Sequence, residues 1–296
     1  MTEDDGAAAL GRLRALVDVG LATLELGEPA DVSPLAEAMR YSLLAGGKRV
    51  RPVLCLALAE GFGCPAGDAL PTALALELVH TFSLVHDDLP ALDDDALRRG
   101  RPTAHVVYGE DIAVLMGDAL LTQAFALVCG AQAGPESRRL AALGELTSAV
   151  GLAGMIGGQY RDVRPDEALD AGGLERTSRL KTGALLGASA ACGAIVAGAG
   201  EDDVARARAF GAELGLLFQI VDDVLDETGS DDALGKAAGS DARRGRRTFA
   251  SELGLDGARE RAAESERVAR ELLAKLPAPA QPLLEALVSL VATRDR

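Results

Sequence analysis

Apolar residues recur at helical spacing along nearly the whole of this chain, and no strictly alternating stretch competes with them for a strand. The clearest segments run Val50 to Gly61, Thr72 to Asp88, Ile112 to Cys129, Ser137 to Gln159, Leu174 to Ala197, Asp202 to Asp226 and Gly257 to Leu276. An earlier one runs from Ser33 to Leu44, with Ser33 offered as N-cap and Pro34 in the first turn. Composition agrees. Aromatics make up 3% of the 296 residues and there is no Trp, which suits closely packed helices better than sheets. The chain is expected to be all-α. Its hydrophobic content of 48% suffices for a sizeable core, and no Ser- or Pro-rich linker divides it. The only proline cluster, Leu276 to Pro282, falls between two C-terminal helices, so residues 1–296 are expected to form one domain.

Thirty basic against forty-five acidic residues leave a net charge of −15, which disfavours nucleic acid and anionic membrane as partners. The basic residues nevertheless form islands: Lys48-Arg49-Val50-Arg51, Arg98-Arg99-Gly100-Arg101 and Arg243-Arg244-Gly245-Arg246-Arg247. Cys55, Cys64, Cys129 and Cys192 fit neither a zinc site nor a disulfide framework, and are expected to be buried and reduced. The start, Met1 to Asp5, is acidic, and no uninterrupted apolar run reaches the ~20 residues of a membrane span. A soluble cytoplasmic protein without stable membrane insertion is the expectation. The non-periodic stretch Thr228 to Arg247 is long enough to serve as a lid.

Two aspartate-rich stretches carry the chemical signal. Asp87 and Asp88 end an apolar helix, where the macrodipole disfavours carboxylates, so something cationic should compensate. Asp93, Asp94 and Asp95 follow in one loop, and a dense set of oxygen donors suits a hard ion such as Mg²⁺. A solvated turn has the same composition. In the second stretch Gln219, Asp222 and Asp226 share one face of another apolar helix, while Asp223 is offset by ~100°. Two such walls suggest a metal-filled cavity between helices; the Glu-x-x-His pairs of a di-iron bundle are missing. His80 lies on nearly the face of Asp87, two turns deeper, where it reads either as a donor to phosphate or as a core histidine. Gly151, Gly154, Gly157 and Gly158 read either as close helix packing or as room for a substrate beside Gln159 and Asp162.

Taken in order, Leu44 to Pro52 with its Gly46-Gly47-Lys48-Arg49, His80, the first aspartate stretch with Arg98-Arg99-Gly100, Gly117-Asp118, Gly158-Gln159, Lys181-Thr182-Gly183, Phe218-Gln219 and the second stretch with Lys236 form one pattern. From about Ser33 to about Gly254 it resembles the trans-isoprenyl diphosphate synthases, in particular the bacterial farnesyl and geranylgeranyl diphosphate synthases. The resemblance implies a helical bundle with a deep central cavity (the isoprenoid synthase fold), a homodimer, and three Mg²⁺ ions gripping an allylic diphosphate between the two aspartate stretches. Asp87, Asp93 and Asp222 are then the direct metal ligands, with Asp88, Asp223 and Asp226 in the same group. Isopentenyl diphosphate is implied to bind without metal to Gly47, Lys48, Arg51, His80 and Arg99. Arg98, Lys236 and Arg246 are implied to serve the allylic diphosphate, and Lys181, Thr182 and Gln219 line the reacting centre. Gly245-Arg246-Arg247-Thr248-Phe249-Ala250 departs from the usual Gly-Lys-x-Thr-Tyr-Pro.

Product length is implied by Phe82 and Ser83, five and four residues before Asp87; a bulky aromatic at the first position favours fifteen carbons, so farnesyl diphosphate is expected, with geranylgeranyl or geranyl diphosphate as neighbours. The helical wheel does not select Phe82, which lies ~140° from Asp87. A terpene cyclase would lack the second aspartate stretch and the Lys48 island, and a non-catalytic subunit would have lost aspartates; this chain keeps them all.

Overall fold

The computed structural model describes residues 3–27, 29–164, 171–228 and 247–293. Lys236, Arg246 and nearly all of the expected lid lie outside the described residues. The helix predicted over Val50–Gly61 forms with those bounds (α3), and α4 (Ala66–Asp87) starts earlier than expected, with Pro71 inside it. Before them stand α1 (Glu3–Ala22) and α2 (Ser33–Leu43). Ser33 does not cap α2: a 3₁₀ turn over Ala30–Val32 makes it the first helical residue, and its hydroxyl donates to Ala30 O at 3.0 Å.

Three long predicted helices are interrupted. Ser137 to Gln159 splits into α7 (Glu136–Val150) and α8 (Met155–Val163), because Gly154 is non-helical (φ −142°, ψ −137°). A Cβ there would run into the backbone of Ala149, so the glycines make a tight reversal and not a stripe on a continuous helix. Leu174 to Ala197 becomes α9 (Ala171–Ser178), a wide π-turn over Arg179–Gly183, and α10 (Ala184–Ala197). The third segment is α6 (Glu110–Ala126), which follows a short α5 (Ala104–Tyr108) and ends in a second π-turn, Leu127–Ala131. The remaining helices are α11 (Glu201–Thr228), α12 (Phe249–Leu273) and α13 (Gln281–Ala292).

The bundle is built around α10. Its Leu185 to Ala194 are all buried, and its small side chains let α3, α4, α7 and α11 pack against it. Leu54, Leu56, Leu58, Leu76 and Leu78 on α3 and α4 are fully enclosed, each contributing ~1.5–3 kcal/mol of transfer free energy. α1 closes one side by packing on α13. The one sheet among the described residues is a hairpin, β1 (Leu97–Arg98) and β2 (Arg101–Pro102), with Arg98 opposite Arg101. Positive φ at both Arg99 (54°) and Gly100 (72°) gives it an I′-like turn, and strands of two residues leave no alternation to read.

Among the described residues, four helical stretches are long and apolar enough to cross a membrane by length and composition, although each reaches that length only by including polar or charged positions. In Ala66–Asp87 and Gly172–Ala197 that apolar surface is mostly spent inside the bundle; in Glu110–Ala131 only 39% of it is buried. All four cysteines are free: Cys55 and Cys192 are buried as expected, whereas Cys64 is half-buried and Cys129 exposed.

Candidate active site

A cavity of about 450 Å³ opens between α4, α8, the Arg179–Gly183 turn and α11. Its polar lining includes Arg51, His80, Asp87, Gln159, Lys181 and Thr182. Phe82, Leu84, Leu92, Met155, Ile156, Val163 and Phe218 supply the apolar wall, with Ser83, His86, Tyr160 and Arg164 also in the lining. Such a cavity suits a ligand with a charged head and an apolar tail.

The first aspartate stretch is held open by its own backbone. Asp93 N–H donates to Asp87 O at 2.9 Å and Asp95 N–H to Asp88 O at 3.2 Å, which satisfies the last carbonyls of α4. The expected cationic compensation is present. Arg98, brought in by the hairpin, grips Asp88 Oδ1 through Nε (2.9 Å) and Nη2, and reaches Asp95 Oδ2 at 3.3 Å. Asp88 is buried in this pair, so the structure makes it an anchor for Arg98. Asp87 is left facing the cavity. Burial pushes its carboxyl up to about 6, opposed by Lys181 and reinforced by Asp93. An acid held that high by desolvation and like charge is what a divalent cation would relieve, and a donor set made of aspartate oxygens fits Mg²⁺. Among the described residues no three acidic, His or Cys side chains converge closely enough to hold a metal unaided.

The second stretch is joined to the cavity through the π-turn. Gly158 of α8 packs directly on the backbone of Lys181, where a Cβ would overlap it. This contact sets Lys181 Nζ 2.6 Å from Asp162 Oδ2. Thr182 Oγ1 donates to Gln219 Oε1 (3.0 Å), Gln219 Nε2 donates to Asp223 Oδ1 (2.8 Å), and the N–H of Phe249, at the start of α12, donates to Asp223 Oδ2 (2.8 Å). Asp223 was grouped with the metal ligands by its place in the motif; here both its oxygens are engaged by protein donors and it is buried. It ties Gln219 to the first residue of α12. Asp222 is half-buried and Asp226 buried on the same helix.

The basic islands around the cavity are ordered by a residue that sequence reasoning passed over. Arg49, left-handed at φ 51° and almost fully buried, donates to Glu77 (2.6 Å), Asp18 (2.9 Å) and Leu43 O (2.9 Å). Its neighbours are thereby presented outward: Lys48 is exposed and Arg51 lines the cavity with His80. Arg99 donates to Gly46 O, and its guanidinium lies so close to Gly47 (φ 132°) that a Cβ there would sit 2.8 Å from Cζ. Burial and the surrounding arginines, Arg51 first, hold His80 well below the ordinary imidazole range. Ser83 is turned back on its own helix, donating to His80 O at 2.9 Å.

The structure thus brings together Asp87, Arg51, His80, Lys181, Thr182 and Phe82 about one cavity, with Gln219 one hydrogen bond behind. Asp162 and Gln159 belong to the same group; the glycine-rich stretch before them was the signal.

Residues 32–287 match the polyprenyl synthetase family. The chain is 49% identical over 263 residues to the chloroplastic geranylgeranyl pyrophosphate synthase of Catharanthus roseus, covering 88% of this chain and 73% of that protein. It is 44% identical over 299 residues to a geranylfarnesyl diphosphate synthase of Leucosceptrum canum, covering 99% and 81%. An FPP/GFPP synthase from Zymomonas mobilis superposes with a TM-score of 0.85 at 33% identity, over 99% of this chain and 100% of that one. A Helicobacter pylori geranyltransferase complexed with magnesium and isoprenyl diphosphate gives 0.82 at 31% identity, over 98% and 96%. With an all-helical fold, this cavity and these relatives, the chain belongs to the polyprenyl synthetase family and is a trans-prenyltransferase.

Proposed function

We propose that this chain condenses isopentenyl diphosphate with allylic diphosphates and releases the twenty-carbon product, geranylgeranyl diphosphate. The observation that carries the reaction is the cavity itself, with Asp87 and Lys181 in the wall of a largely apolar chamber. Asp87, Asp93, Asp222 and Asp226 are the residues that would hold Mg²⁺, three ions in all, while Asp88 and Asp223 position Arg98 and Gln219. The ions would supply the positive charge against which the allylic diphosphate leaves.

The protein's own groups do the rest. Lys181, oriented by Asp162 at 2.6 Å, holds the departing diphosphate, and Lys236 and Arg246 serve the same group. The oxygens of Thr182 and Gln219, locked to each other at 3.0 Å, present their dipoles to the allylic cation. Lys48, Arg51, His80 and Arg99, beside Gly47, take the diphosphate of isopentenyl diphosphate, whose double bond attacks the cation. The departing diphosphate accepts the proton, so no protein base is required.

The twenty-carbon product is supported by the relatives, which include geranylgeranyl and geranylfarnesyl synthases at 49% and 44% identity. Phe82, in the cavity wall, favours the farnesyl reading expected from sequence. A homodimer is supported by the exposed apolar face of α5 and α6, with Val106, Val107, Val114 and Leu115 in solvent.

Purified protein incubated with dimethylallyl and isopentenyl diphosphates and Mg²⁺ should yield geranylgeraniol after dephosphorylation and chromatography. A farnesyl product would overturn the chain-length assignment, and a cyclic hydrocarbon from one prenyl diphosphate would overturn the reaction.

A further inference from the structure

Phe82 carries the same ring that would close the tail path at fifteen carbons, yet the relatives that this chain matches include twenty- and twenty-five-carbon synthases. The packing around that ring resolves the conflict. Phe82 lies ~140° round α4 from Asp87, whereas His86 lies only ~40° from Phe82. Their rings meet edge to face, 5.0 Å between centroids and 72° between planes. Phe82 is 7% exposed and stands in the cavity wall, with its ring packed against His86.

His86 is itself fixed from the other side. Its Nε2 donates to Val114 O of α6 at 3.1 Å, and its imidazole lies directly on Gly117, one turn further along α6. A Cβ at Gly117 would overlap Nε2 and Cδ2 and stand 2.8 Å from Cε1. Only a residue without a side chain lets the ring occupy this place. The contacts run in one line: Gly117 makes room, Val114 O fixes the imidazole, and the imidazole edge meets the Phe82 ring.

We propose that His86 and Gly117 are positioning residues for product length, holding Phe82 back against α6 so that the growing tail passes it. Neither residue needs to touch the reacting atoms. The inference rests on the twenty-carbon reading above and adds the residues that set it.

The proposal is tested by product distribution. His86→Ala frees the Phe82 ring to swing into the tail path, so the ratio of fifteen- to twenty-carbon product should rise at least about threefold, the scale on which one aromatic pair acts. Gly117→Ala should shift the ratio the same way by displacing the imidazole. Phe82→Ala/His86→Ala, with no ring left to swing, should return to twenty carbons or longer. That reversal separates positioning from general damage, which lowers turnover without changing sign on removal of Phe82; thermal melting checks that each variant folds. An unchanged ratio in His86→Ala, or a shift that Phe82→Ala does not reverse, overturns the proposal while a twenty-carbon wild-type product stands. A wild-type enzyme that stops at fifteen carbons overturns the product reading first and the held-back Phe82 with it.

Discussion

Lys181 Nζ lies 2.6 Å from Asp162 Oδ2, and that pairing depends on Gly158, which admits the Lys181 backbone against α8. The carboxylate aims the ammonium into the cavity beside Asp87. Asp162→Asn keeps the shape and removes the charge, so it is expected to reduce kcat/KM by about tenfold or more, the range for a hydrogen bond to a charged group. Steady-state kinetics with the allylic substrate varied checks this. An unchanged kcat/KM would mean that Lys181 orients itself.

The Asp87 carboxyl, pushed up to about 6 by burial, links stability to pH in the metal-free protein. The folded state binds this proton more tightly than the unfolded chain does. Its favourable contribution is therefore complete below about pH 4 and is lost as pH rises through about 6, by roughly 2 kcal/mol once water in the open cavity is allowed for. Melting curves from pH 4 to 7.5 in chelator should show this fall for wild type and a flatter profile for Asp87→Asn. Mg²⁺ with inorganic diphosphate at neutral pH should restore the wild-type midpoint and do little for the variant. Parallel pH profiles for the two proteins would remove Asp87 as the cause.

Much of the architecture was legible in the sequence because helices announce themselves by spacing, as Val50–Gly61 does to the residue. The breaks were not. Apolar spacing runs unbroken through Gly154 and through Arg179–Gly183, and what interrupts those helices is close backbone packing, which leaves no trace in periodicity. The site divides in the same way. Six aspartates look alike in the motifs, and nothing in their spacing shows that Asp88 meets Arg98 on the hairpin or that Asp223 accepts from the Phe249 N–H on α12. Arg49 reads as one more member of a basic island; only its ion pair with Glu77, from the interior of α4, sets it apart.

That ion pair supports a stability prediction. Arg49 and Glu77 are both almost wholly enclosed, so removing Glu77 leaves the buried guanidinium with the part-exposed Asp18 as its counter-charge. Glu77→Ala should lower the free energy of unfolding by about 3 kcal/mol or more. Arg49→Met/Glu77→Leu should recover part of that loss while still raising KM for isopentenyl diphosphate, because the left-handed turn that presents Lys48 and Arg51 would lose its anchor. Urea titration gives the first quantity and kinetics the second. Equal stability of Glu77→Ala and wild type would show that the pair contributes nothing net.

Gln159 is the remaining test, and it sets stability against function. Its amide borders the cavity next to Gly158, buried, with neither Nε2 nor Oε1 bonded to a protein group among the described residues. A polar group kept in such a place costs about 1–3 kcal/mol unless something satisfies it, and the cavity it borders is also lined by Asp87, Lys181 and Thr182. Gln159→Leu fills the same space without that cost. It is therefore expected to raise the melting temperature of the ligand-free protein while lowering kcat/KM by about tenfold or more, since the substrate or its water shell loses a donor and an acceptor. A variant that is less stable and fully active would show that the amide is satisfied within the protein and takes no part in binding.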